Sequence, residues 1–190
     1  WGMELGGAVG SMDAFQGYGA LADPYGVIVN YDMVMRGAIT VNLNGERFSN
    51  ENLDISAQAL NILQQPESTG WIIFDETRRE IVKDLPEFLD LVAMGGVRSA
   101  DTAAELAEII RVPANALERT LADVDKMSAG LATCQFGRDF TKHTALSGKL
   151  YAIKTTGALF HTQGGLKINE DAQVVREDGT PLPNLFAAGG

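Results

Sequence analysis

The sequence predicts an α+β fold in which strands near both ends of the chain flank a helical middle. Three observations carry this. β-Branched runs occur early, at Val27-Ile28-Val29 and from Ala38 to Asn42, and a β-rich run occurs late, from Tyr151 onward. Between them lie segments with apolar residues at helical spacing and with capping residues at their starts. Turn residues punctuate the strands, at Asn44-Gly45 and at Glu177-Asp178-Gly179.

In order along the chain, residues 1–25 are rich in glycine and alanine, and the run from Gly17 to Gly26 reads as loop. Val27 to Val29 is a short strand, and Ala38 to Asn42 is another. Asn44-Gly45 tolerates positive φ and makes a hairpin turn, with Arg47-Phe48 starting the return strand. Asp54 caps a helix over about Ile55 to Gln64, with Ile55, Ala59, Ile62 and Leu63 on one face. Trp71 to Phe74 is a buried strand. Thr77 to Val82 and Pro86 to Met94 are short helices ended by Gly95-Gly96. Ser99 and Asp101 open the next helix, which runs to about Ile110. Pro113 starts the last, which runs to about Met127 with Leu117, Leu121 and Val124 as its core stripe. Residues 128–148 are loop-rich, and strand and turn follow.

Composition narrows the function classes. The 190 residues are 45% hydrophobic and 21% charged, as in an ordinary globular protein with a real core. Twenty-five acidic against 15 basic residues give a net charge of −10, which argues against nucleic acid and anionic membrane surfaces as partners. Cys134 is the single cysteine, so no internal disulfide is available and a cytoplasmic setting is expected. No apolar run approaches the roughly 20 residues needed to span a bilayer. The chain opens on Trp1 and closes on a glycine pair, which reads as a piece of a longer protein.

The last forty residues carry the most information. A β-rich run leads to His161-Thr162-Gln163-Gly164-Gly165. A histidine beside glycines sits where backbone can approach a planar cofactor, because glycine has no Cβ to clash. Its imidazole suits hydrogen bonding to a substrate carbonyl or carboxylate, or proton movement near neutral pH; a histidine held in a turn is the structural alternative. The chain ends in an apolar strand, Leu185 to Ala188, entering Gly189 and Gly190. Such a strand usually continues through a tight turn into a helix whose N–H groups face a phosphate or a flavin.

Two separated segments resemble one family. Arg36-Gly37-Ala38-Ile39-Thr40-Val41-Asn42 followed by Asn44-Gly45-Glu46-Arg47-Phe48-Ser49-Asn50-Glu51 is one. The other comprises Tyr151-Ala152-Ile153-Lys154, His161-Thr162-Gln163-Gly164-Gly165-Leu166, Asp178-Gly179-Thr180-Pro181-Leu182-Pro183-Asn184-Leu185-Phe186 and Ala187-Ala188-Gly189. Together they resemble the flavoprotein family of fumarate reductases and succinate dehydrogenases. The resemblance implies a capping domain inserted into an FAD-binding domain: residues 12–160 as the cap, and residues 1–11 and 161–190 as pieces of the FAD domain. It implies FAD as the cofactor of the full-length protein and a small-molecule substrate. It implies that His161 binds substrate beside the flavin, and that Thr162, Gly164, Gly165, Ala188 and Gly189 contact the cofactor. The family's dinucleotide fingerprint, Gly-x-Gly-x-x-Gly, does not occur here, so this piece alone is expected to hold no FAD and to be inactive.

Departures from the family pattern bear on the substrate. The family's proton-donating arginine follows the Arg-Phe-x-Asn-Glu motif, and its slot falls at Ile55. A second family histidine falls near Gln16, and a Thr-Glu pair near Asn30-Tyr31. Gln163 stands where methionine is frequent. A preference for fumarate or succinate is therefore not expected. Gln16 and Tyr31 become the cap-side candidates, Tyr31 as an acid–base group or a donor to a ketone oxygen, or else as a tyrosine packed at a domain seam. Arg47, Asn50 and Glu51 read either as a bridge from cap to FAD domain or as a solvated turn. Arg78-Arg79-Glu80 and Arg138-Asp139 read as solvated charges, and no metal site is expected from two histidines without paired carboxylates. The predicted function is an FAD-dependent oxidoreductase acting by hydride transfer; the alternative is a binding or assembly module without catalysis.

Overall fold

The computed structural model describes residues 1–189, so the final Gly190 lies outside the described residues. The chain forms two compact units. One comprises Trp1–Gln16 with Leu159–Gly190; the other is Gly17–Ala158. The sequence reading placed the inserted segment at residues 12–160.

The larger unit is built on a mixed-length sheet with strand order β3-β2-β7-β5-β4, with β6 paired to β7 off that path. The strands are β2 (Phe15–Ala22), β3 (Val27–Ile28), β4 (Ile39–Val41), β5 (Thr69–Asp75), β6 (Val97–Ala100) and β7 (Leu150–Thr162), of which Phe15 and Gln16 of β2 and Leu159–Thr162 of β7 belong to the smaller unit. The central pair is antiparallel, from Thr69 opposite Thr156 to Asp75 opposite Leu150. Both faces of the sheet are covered. Along β5, Ile72 and Phe74 enter one core with Met33, Val82 and Phe88, while Trp71 and Ile73 enter a second with Leu106, Ile110 and Leu117. Period-two alternation thus serves two cores, and every residue of β5 is buried.

The helices are α1 (Asp32–Met35), α2 (Ile55–Leu63), α3 (Glu76–Val82), α4 (Pro86–Ala93), α5 (Ala103–Ile110) and α6 (Ala114–Ser128). Local chemistry fixes their starts. Asp54 accepts from the Ser56 and Ala57 amides to cap α2, and Asp75 accepts from the Arg78 amide to cap α3. Among the described residues, no helix is long and apolar enough to cross a membrane.

Three expectations are corrected. The glycine-rich stretch read as loop is strand β2 through Ala22. Its glycines serve packing: a Cβ on Gly17 would stand 2.7 Å from the Ala59 Cβ, and one on Gly19 would stand 2.4 Å from the Gln58 Cβ. Helix α2 lies against the bare backbone of the strand. Ser99 does not open a helix but belongs to β6; Thr102 caps α5 and forms a reciprocal capping box with Glu105. Arg47 makes only an isolated bridge to Val41 instead of a return strand, and its guanidinium bonds to Glu51.

The smaller unit contains β1 (Val9–Gly10), β8 (Gly165–Leu166), β9 (Gln173–Val175) and β10 (Pro181–Phe186). β1 pairs with β8 and β9 with β10, both antiparallel. The turn between β9 and β10 uses Gly179 at φ +81°, and Asp178 accepts hydrogen bonds from the Thr180 amide and hydroxyl. Ala8, Val174 and Leu182 are buried in this unit.

Candidate active site

The smaller unit holds an open cleft of about 570 Å³. It is lined by Gly10-Ser11, by the run His161–Ile168 and by Ala187–Gly189. Alternation along β8 explains which groups face it. Gly10 stands opposite Gly165, and Val9 opposite Leu166. Leu166 packs toward Gly2 and Gly7. Gly165 and Lys167 therefore share the other face with Gly10.

The two glycines of the motif do different things. A Cβ on Gly164 would lie 2.6 Å from the Met12 Cα and 2.7 Å from the Ser11 carbonyl oxygen, so Gly164 is required by the chain's own backbone. A Cβ on Gly165 would meet nothing within 4 Å. Gly165 thus presents bare backbone to open space, a surface that a flat ring can approach closely. That is the observation by which the cleft fits a flavin: a Cβ-free patch of strand with a histidine beside it. No carboxylate lines the cleft among the described residues.

His161 is half-buried near the end of β7. The side-chain amide nitrogen of Gln163 stands 3.2 Å from its Nδ1. With the amide nitrogen as donor the contact suits an Nδ1 that accepts and a proton on Nε2; the opposite amide orientation would suit the other tautomer. The Phe160 ring lies 5.3 Å from the imidazole, centroid to centroid. Strand β2 runs alongside: the Asp23 amide donates to the Lys154 carbonyl and the Gln163 amide to the Ala14 carbonyl, an antiparallel register that sets Gln16 across from His161. Gln16 is half-buried. Thr162, Gly164, Gly165, Ala188 and Gly189 all line the cleft, with Gly189 at φ +107°.

Other expected residues lie in the larger unit. Tyr31 is 8% exposed in a hydrophobic core, edge-on to Tyr18, and its hydroxyl donates to the Glu51 carbonyl at 2.9 Å. Burial first, then the Glu51 charge, pushes the phenol well above its ordinary value. The structure thus places Tyr31 as a packed, hydrogen-bonded side chain. Ile55 begins α2 and packs partly buried against the same core.

Arg47 and Glu51 are neither a solvated turn nor free to bridge outward. Glu51 is fully buried and accepts from Arg47 Nε at 2.8 Å, Arg47 Nη2 at 2.6 Å and the Thr40 amide at 3.1 Å. Arg138 Nη1 lies 3.0 Å from the same carboxylate and also donates to the Ala38 carbonyl. Burial would raise the Glu51 carboxyl, but the bonds and charges of Arg47 and Arg138 outweigh it and hold it below the usual range. Arg138 and Arg78, read as solvated, are both buried. Arg78 pairs with Asp75 at 2.9 Å and donates to the Arg36 and Thr144 carbonyls. Each buried guanidinium satisfies loop carbonyls that have no strand partner, which hydropathy does not reveal.

Sequence reasoning missed Gly10, Ser11 and Lys167 as lining groups. Alternation outward from Gly165 was the available signal for Lys167. Among the described residues, no group of three or more His, Cys, Asp or Glu could hold a metal ion.

A family model described as an FAD binding domain matches residues 13–190. A fumarate reductase (cytochrome) of Shewanella frigidimarina is 29% identical over 186 residues, covering 98% of this chain and 32% of the relative. A urocanate reductase of Eggerthella lenta is 31% identical over 164 residues, covering 80% of this chain and 26% of the relative. Among solved structures, the open conformation of a flavocytochrome c3 fumarate reductase aligns with a TM-score of 0.78 at 26% identity, covering 99% of this chain and 33% of that one. The chain thus spans about a third or less of the length of the relatives it matches.

Proposed function

This chain belongs to the FAD binding domain family, similar to the fumarate reductase flavoproteins, and we propose that it supplies the substrate-capping domain and adjoining FAD-domain strands of an oxidoreductase. FAD is the cofactor of the family, and its relatives act on different substrates, as their names state. In this reading the larger unit, Gly17–Ala158, is the cap, and the cleft of the smaller unit is one edge of the flavin site. The reaction is hydride transfer between flavin and a small organic substrate other than fumarate. The 190-residue chain by itself is inactive.

FAD, when bound, supplies the hydride chemistry. This chain's residues orient and polarise. Gly165 would let a flat ring approach the backbone, and Thr162, Ala188 and Gly189 would help to hold it. His161 turns Nε2–H toward a substrate carbonyl or carboxylate oxygen, while Gln163 holds the ring in that tautomer. Gln16, across the ladder, offers a second amide to the same ligand. Tyr31 acts as packing, because its hydroxyl is committed to the Glu51 carbonyl.

A single observation carries the reading: a histidine in contact with the Gln163 amide stands beside a bare glycine face in an open cleft. The apolar Ile55 in the proton-donor slot supports a substrate other than fumarate. The test is anaerobic reduction of the full-length protein, followed by reoxidation with a panel of unsaturated acids and ketones. Bleaching of a flavin spectrum and its recovery with at least one non-dicarboxylate is the expected result. A full-length protein without flavin supports the non-catalytic alternative. Rapid reoxidation by fumarate alone overturns the substrate assignment.

A further inference from the structure

Lys167 is the cleft's one lysine, and with His161 it makes up all the titratable groups that line it among the described residues. The chain as a whole carries ten more acidic than basic residues, so a lining with no carboxylate is a local reversal. The position of Lys167 follows from the strand. It is two residues past Gly165 and on the same face, and its stem lies across Gly10: a Cβ there would meet Lys167 Cε at 3.3 Å and Cγ at 3.4 Å. The bare Gly165 surface is therefore bounded on one side by the Lys167 chain. The ammonium has one recorded partner, Glu177 at 3.7 Å, with side chains 51% and 77% exposed. A pair that open is weak and leaves the charge available to the cleft.

We infer that Lys167 tunes the bound flavin, standing at the edge of the ring and stabilising its reduced form over its oxidised form. This rests on the reading of the cleft as a flavin edge. The reason is charge balance. Uptake of two electrons and one proton leaves the reduced ring with one negative charge, where the oxidised ring has none. A cation nearby favours the charged state, and a site without carboxylates leaves that effect unopposed. Lys167 acts on the cofactor's equilibrium, and His161 on the substrate.

The experiment is a spectroelectrochemical titration of the full-length flavoprotein. Lys167→Gln should shift the reduced-to-oxidised ratio about threefold to tenfold toward oxidised, a midpoint roughly 15–30 mV more negative for a two-electron couple. Lys167→Arg should restore the wild-type potential, since charge is retained. Glu177→Gln should move the potential the other way, because it frees the ammonium from its competitor. A Lys167→Gln protein with bound flavin and unchanged potential overturns the inference. So does a variant whose only defect is weaker binding of an anionic substrate, which would assign Lys167 to the substrate instead. If Lys167→Gln loses its flavin altogether, Glu177→Gln decides: a potential at or below wild type is fatal. A wild-type full-length protein that binds no flavin overturns the proposed function and this inference with it, whereas an unchanged potential in flavin-loaded Lys167→Gln overturns this inference alone.

Discussion

The side-chain amide nitrogen of Gln163 faces Nδ1 of His161 at 3.2 Å, a contact that in this amide orientation suits an Nδ1 without a proton. Gln163 should therefore bias the ring toward the Nε2–H tautomer. Replacing Gln163 by Leu removes one hydrogen bond, worth about 1 kcal/mol, so turnover should fall about fivefold while flavin binding persists. His161→Ala should lower turnover far more, by about 10²–10⁴-fold. Long-range ¹⁵N–¹H correlation on the ring nitrogens reads the tautomer directly. A Gln163→Leu protein with an unchanged Nε2–H signal and unchanged turnover would show that the amide does not set the tautomer.

Gly164 and Gly165 are adjacent and should respond oppositely to a methyl group. Gly164→Ala pushes a Cβ to within 2.6 Å of the Met12 backbone, which cannot move aside as a flexible side chain would. Its cost should resemble other overpacking substitutions, about 1–3 kcal/mol. Gly165→Ala meets nothing within 4 Å, so thermal stability should hold and only flavin affinity should drop. Melting curves of the two variants, with flavin titration of the full-length forms, check the pair. Equal destabilisation by both would remove Gly165 from the proposed ligand surface.

Much of the fold was legible because its signals are local. Asp54 lies directly before the apolar stripe of α2, and the Asp178-Gly179 turn lies directly between its strands. Strand β2 was not legible, because the partner that explains its glycines is helix α2, some forty residues further on. Composition alone made Gly17 to Ala22 look like loop, whereas the glycines exist to let Gln58 and Ala59 approach. Gly19→Ala should therefore behave as a core defect, losing about 1–3 kcal/mol or more, since its Cβ would meet the Gln58 Cβ at 2.4 Å and the Gln58 carbonyl carbon at 2.7 Å. Denaturant unfolding measures it, and a loop-like effect within about 0.5 kcal/mol would contradict the packing account. The cleft was legible at His161 and its glycines because they are contiguous. Arg138 was hidden for the reason β2 was, since it meets Glu51 only through the fold.

The Arg47–Glu51–Arg138 cluster makes the clearest pH prediction. Glu51 is fully buried, with one carboxylate answering two guanidinium groups. Glu51→Gln keeps the shape but leaves both cations without a counter-charge. Breaking a buried pair in this way costs about 3–5 kcal/mol. The sign of the pH dependence follows from the carboxyl. Burial raises it, but the two arginines outweigh burial and hold it below its ordinary value. A group depressed in the folded state adds stability that is fully present above its unfolded value, about 4.3, and is lost as pH falls through the folded value. The stability gap between wild type and Glu51→Gln should therefore be widest near neutral pH and should narrow as the solution is acidified below about pH 4. Urea unfolding at a series of pH values gives that gap directly. A gap that stayed constant down to the acid limit would mean that packing, and not the charge on Glu51, holds this part of the larger unit together.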